Sequence, residues 1–106
     1  MKYTDLGNTL SFKYISEDPQ KSCTILATYT KNKRDPQKYD LEIKLSKTVR
    51  INNLTKHFEH YVRKEPITAD HTNIKNYASR VVDYAIEHGY LDKHINKFAA
   101  KMKREM

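Results

Sequence analysis

A chain of 106 residues is long enough for one domain with a single core. Hydrophobic residues make up 38%, charged residues 31% and aromatic residues 10%, enough periodic apolar side chain to exclude a disordered polyampholyte. A single cysteine, Cys23, excludes an internal disulfide and a cysteine-built zinc site. The net charge of +7 favours a polyanionic partner, either nucleic acid or an acidic protein face.

The first nine residues lack the apolar core of a signal peptide, and no apolar run approaches the length of a membrane span. The expected setting is therefore cytoplasmic and reducing, with no membrane contact. Within this lead-in, Gly7-Asn8 reads as a turn. Residues 10–16 alternate, with Leu10, Phe12 and Tyr14 on one side and Ser11 and Lys13 on the other, which predicts a half-buried strand. Pro19 marks a turn. Residues 22–31 form a second strand, with Cys23, Ile25, Ala27 and Tyr29 on one face, and only Leu26 interrupts the alternation. After a second turn at Pro36, Tyr39, Leu41, Ile43 and Leu45 alternate with Asp40, Glu42 and Lys44 as a third strand over 39–45. The tetrapeptide Asp-Pro-Gln-Lys occurs at 18–21 and again at 35–38, and the turn preferences of Asp and Pro account for both copies.

Thr48 to Asn53 fits either period. Leu54, Phe58, Tyr61 and Val62 stand at helical spacing, so a helix is expected over about 53–64, capped by Asn52 or Asn53 and ended by Pro66. A loop follows. Ile74, Tyr77, Ala78, Val81, Val82, Ala85 and Ile86 then line one helical face for more than three turns, and Gly89 sits where a left-handed residue ends a helix. A last helix carries Ile95, Phe98, Ala99 and Met102, with Asp92 a candidate N-cap. The expected fold is α+β, in one domain spanning 1–106. A three-stranded antiparallel meander (about 10–45) precedes three helices (about 53–64, 71–88 and 92–104).

Two basic groups are candidate binding residues. Lys93, Lys97, Lys101 and Arg104 form one stripe on the last helix, with Asn96 beside them, and Lys31, Lys33 and Arg34 cluster in the second hairpin loop. Side chains of this kind neutralise phosphates and release counterions. Asp40-Leu41-Glu42-Ile43-Lys44 matches the Glu-x-Lys string of metal-dependent nucleases, but no acid stands on the preceding strand, so alternating charge on a wet face accounts for it. His57 and His60 lie three apart, with His71, His88 and His94 elsewhere. Neither a metal site nor a cofactor site is expected from them. With only Gly7 and Gly89 in the chain there is no glycine-rich phosphate loop.

Tyr84-Ala85, Gly89-Tyr90, Ile95 and Phe98 stand at the offsets of a helix-turn-helix, and this stretch resembles that motif. The resemblance implies that the second helix enters a DNA groove, presenting Asp92, Lys93, Asn96, Lys97 and Ala100. The string from Tyr84 to Asp92 is also similar to a phrase in the core-binding domains of tyrosine recombinases. The three-strand-plus-helix unit before it resembles their arm-binding domains, although no catalytic residues of that family are present. The expected function is a non-enzymatic, nucleic-acid-binding regulator or accessory factor. Abundant Lys, Asn, Ile and Tyr suit an AT-rich phage or mobile-element genome. The alternative is a small phage-type inhibitor or adaptor that binds a host or defence protein, with a metal-dependent nuclease a distant third. A homodimer is compatible with any of these.

Overall fold

A computed structural model describes residues 1–70 and 72–106; His71 lies outside the described residues. The chain runs through five strands and a short 3-10 turn before two helices. The strands are β1 (Tyr3–Asp5), β2 (Thr9–Tyr14), β3 (Cys23–Lys31), β4 (Lys38–Ile51) and β5 (Leu54–Thr68), with the 3-10 turn at Pro19–Lys21 between β2 and β3. The helices are α1 (Ile74–Glu87) and α2 (Asp92–Glu105). The strands pair antiparallel in the order β1-β2-β3-β4-β5, so every connection is a hairpin.

The α+β class stands, but the expected three strands and three helices are replaced by five strands and two helices. The helix expected over 53–64 is strand β5. Ile51 closes on Leu54 across Asn52 and Asn53, whose φ angles are +50° and +65°. Two successive left-handed residues make the mirror-image turn that matches strand twist, and asparagine tolerates that conformation better than other residues with a Cβ. These asparagines therefore turn a hairpin and do not cap a helix. The register shifts beside Ile43/Lys44, where Tyr61 and Arg63 oppose adjacent β4 residues and Val62 is the extra residue of a bulge. This bulge breaks the two-residue period of β5, and the helical spacing of Leu54, Phe58, Tyr61 and Val62 does not mark a buried face, since Leu54 and Tyr61 are exposed. Pro66 does not end a helix; it lies in an edge strand, where a missing N–H is tolerated.

β4 is longer than the expected 39–45 because alternation continues through Lys47, Val49 and Ile51. The lead-in also contributes a strand, β1, joined to β2 across Gly7 at φ +93°.

One face of the sheet is covered. Leu10, Phe12, Ile25, Ala27, Leu41, Ile43, Leu45 and Phe58 from the strands enclose a common core with Ile74, Val82, Ile95, Phe98 and Met102 from the helices. Each helix packs chiefly on the sheet: α1 against β2 and β3, α2 against β5 and the 3-10 turn. The opposite face is polar. In it, Lys44 Nζ pairs with Glu42 (3.4 Å) and Glu59 (3.8 Å).

The helix boundaries follow from local chemistry. Asp70 Oδ1 accepts from the backbone N–H of Thr72 (3.1 Å) and of Asn73 (2.9 Å), shaping the entry to α1. Gly89, at φ +68°, ends α1 in a Schellman arrangement: Tyr90 N–H donates to Ala85 C=O (2.8 Å) and Gly89 N–H to Ile86 C=O (3.2 Å). Asp92 is the first residue of α2 and not its N-cap; Leu91 holds that position. The Asp92 carboxylate still faces the positive end of the helix dipole.

Candidate functional site

The two helices leave one corner of the covered face open. α1 starts beside Tyr29 and lies over β2 and β3, whereas α2 crosses the end of the sheet nearest the 3-10 turn. Between them the helix-facing side of β5 around Arg63 forms the floor of a groove of about 460 Å³. Tyr77, Arg80 and Tyr84 wall it along α1, and Tyr90 closes its end. Tyr84 and Tyr90 are 53% and 60% exposed and Tyr77 36%, so these rings are not core. Tyr84 lies 4.1 Å from the His88 ring and 5.7 Å from the Tyr90 ring, centroid to centroid, and His88 stacks on Tyr90 at 5.8 Å. The rings thus hold one another in a small aromatic platform. The Tyr90 hydroxyl beside it pushes the Tyr84 phenol above its ordinary value.

Two guanidinium groups serve this groove. Arg80 Nε donates to Asn76 C=O one helical turn back (3.4 Å), and Arg63 is ion-paired with Glu65. Both are thereby oriented while part of each five-donor fork stays available to a ligand.

The α2 stripe adjoins this corner. Lys97 and Lys101 lie close enough to His60 of β5 to disfavour its protonation, so their flank of α2 faces the β5 side of the molecule. Lys93, Asn96, Lys97 and Arg104 are exposed and Lys101 is half-buried. Lys31, Lys33 and Arg34 are exposed as well, but in the loop at the far end of β3 from the 3-10 turn on which α2 packs. The length of β3 sets roughly 25 Å between the two groups. The structure therefore sets Lys97 and Lys101 on the β5 side of α2, places Asn96 on the other flank beside Tyr14, Ser16 and Lys21, and leaves the loop residues apart. Among the described residues none of these seven basic side chains forms an ion pair.

Other candidates resolve into structural roles. In both Asp-Pro-Gln-Lys copies the aspartate Oδ1 accepts from the glutamine N–H, Asp18 from Gln20 and Asp35 from Gln37, each at 3.0 Å. The repeat is thus one turn used twice. Asp40 is held by Asn32 Nδ2 (2.9 Å) and Glu42 by Lys44, so the nuclease-like string forms polar pairs on the open face. Among the described residues no three His, Cys, Asp or Glu side chains are placed to share a metal ion. His57 and His60, expected on one helix, point to opposite faces of β5: His57 bonds Thr48 Oγ1 (3.0 Å), and His60 Nε2 lies 3.1 Å from His94 Nδ1. Burial pushes the Cys23 thiol up to about 11, which leaves it protonated and a poor nucleophile. Lys47 pulls weakly the other way.

Sequence reasoning missed Arg63, Tyr77 and Arg80. Tyr77, Arg80 and Tyr84 recur at i, i+3 and i+7, which places them on one flank beside the apolar stripe, and that spacing was the available signal. Arg63 was hidden by the helical reading of its strand. Within the helix-turn-helix likeness, the turn at Gly89 is present, but Ala85 lines the groove and each helix buries its stripe on the sheet.

No protein-family model matches the chain, and no curated protein or solved structure is significantly similar to it. The recombinase likeness therefore rests on residues 84–92 alone. Its arm-binding half is lost, because a five-stranded meander without an intervening helix precedes α1. Among the described residues no helix is long and apolar enough to cross a membrane.

Proposed function

We propose that this chain is a non-enzymatic nucleic-acid-binding module whose binding face is the corner formed by β5, the α1 flank and α2. One observation carries the reading: α2 bears a row of basic residues without ion pairs among the described residues, two of them near His60 of β5, and β5 also floors a groove that presents aromatic rings beside two arginines. Basic side chains supply sequence-independent attraction to phosphate, and exposed rings supply contact with bases. A net charge of +7 adds long-range steering.

The test is fluorescence anisotropy with short labelled DNA and RNA at about 50 and about 200 mM salt. Four phosphate contacts from Lys93, Lys97, Lys101 and Arg104 are expected to weaken binding by about 100-fold over that range. Changing Lys97 and Lys101 to Glu is expected to remove most binding. Neutralising Lys33 and Arg34, at the other end of the sheet, is expected to leave binding of short oligonucleotides nearly unchanged. Absence of binding at low salt overturns the proposal. The tyrosine and arginine cluster would then stand as the centre of a protein interface, for which its composition is equally suited.

A further inference from the structure

We infer that the groove between α1 and β5 receives unpaired nucleotides, so that the module prefers single-stranded nucleic acid to duplex. This inference rests on the nucleic-acid reading and specifies its ligand.

Aromatic rings recognise a base by its face, and in a duplex every internal base has both faces covered by its neighbours. Tyr84 and Tyr90 expose more than half of their surface, and mutual ring contacts with His88 hold them in place. The edges of paired bases are read chiefly by Arg, Lys, Asn and Gln side chains, whereas the area this platform presents is mostly ring face. It offers a surface on which any unpaired base can stack.

The groove has a helix for one wall and a strand for its floor, and its volume of about 460 Å³ is that of a small-molecule site. A nucleotide enters such a space, whereas a duplex rides over its rim.

Arg63 rises from the floor and Arg80 from the wall, on opposite sides of the same cavity, so a phosphate following a stacked base lies within reach of a guanidinium from either side. Glu65 opposes this attraction only in part, since Arg63 already engages it. Beyond Tyr90, Lys93 and Lys97 on the first turns of α2 extend the track for flanking phosphates.

The other cavities lack this combination. The one beside Gly7 and Lys75 has a single ring, Tyr29, whose hydroxyl donates to Gly7 C=O (2.8 Å), and its lysine is paired with Asp5. The cleft between Pro19, Val49 and Met102 is almost wholly apolar and holds about 180 Å³.

The experiment compares a short single-stranded DNA, the RNA of the same sequence and the corresponding DNA duplex, using the full chain and its Tyr84→Ala, Tyr90→Ala and Tyr84→Phe variants. At least one single strand is expected to bind roughly ten-fold or more tightly than the duplex. Each alanine variant should lose roughly ten-fold on that strand and little on the duplex, while Tyr84→Phe should keep most of the affinity. Because the chain has eight tyrosines and no tryptophan, the part of the fluorescence quenching at saturation that is lost in the Tyr84→Ala and Tyr90→Ala variants reports stacking on those rings. Circular dichroism of each variant confirms folding, which these exposed positions should not disturb. Equal or tighter duplex binding that is insensitive to both alanine changes overturns this inference and leaves the broader reading standing. No binding to any of the probes overturns both.

Discussion

At the contact between β5 and α2, two imidazoles meet with 3.1 Å between His60 Nε2 and His94 Nδ1, next to the Phe98 ring. One ring nitrogen must donate and the other accept, so the contact requires at least one neutral ring. Burial, then the His94 ring, then Lys101 and Lys97 lower the His60 pKa from its ordinary 6.5. For His94 the causes are burial, then Lys97 and Lys93. The unfolded chain thus takes up protons near 6.5 while the folded chain still resists them. Stability is full above that pH and falls as the pH drops from 6.5 through the lower folded values. A melting temperature several degrees lower at about pH 5 than at about pH 7.5 is the expected outcome, and His60→Gln with His94→Gln should flatten that difference.

The hairpin of β4 and β5 is where the local pattern and the fold part company. Its two-residue turn needs left-handed backbone at both Asn52 and Asn53. Replacing both by Ala should destabilise the protein by about 1–2 kcal/mol per residue in urea unfolding, and Asn53→Gly should be tolerated. Neither that turn nor strand β5 was legible: the helical spacing of Leu54, Phe58 and Tyr61 makes the asparagines read as a helix cap, although asparagine also suits such a turn. Strand β5 buries only Phe58 and Ile67, since α2 covers one stretch of it and its first four residues are exposed. Leu54 at 66% and Tyr61 at 55% exposure, both assigned to a helix core by spacing, face solvent. By contrast β2, β3 and the first half of β4 are central and covered on one side, and their alternation is correspondingly clean.

For the whole molecule, extents of 46 × 28 × 21 Å and a radius of gyration of 14.8 Å describe an elongated body. A compact chain of this length would have about 13 Å. Both free edges of the sheet are guarded: β1 is three residues long, and β5 carries a bulge, Pro66 and the charged residues Lys56, Glu59, Arg63, Lys64 and Glu65. Edge-to-edge pairing of two copies is thus disfavoured. Small-angle scattering of the free chain is expected to give a monomer with a radius of gyration close to 14.8 Å. A value about half as large again would show that copies of the chain associate despite these guards.

Sequence by itself determined what depends on short-range periodicity and turn chemistry. This includes the three central strands, the two helices with the glycine between them, the repeated Asp-Pro turn, and the basic stripe on α2. Each of these follows from spacing within one element, where a side chain's direction is set by the helical or pleated backbone. Tertiary structure alone decided the rest. It decided that 54–68 pairs as an edge strand, because inter-strand hydrogen bonds and the Val62 bulge lie outside any local period. It separated Lys31, Lys33 and Arg34 from α2 by the length of a strand. It also gathered Arg63 of β5 with Tyr77, Arg80 and Tyr84 of α1 and Tyr90 of the turn, because a groove belongs to the space two helices leave uncovered when each packs on the same sheet.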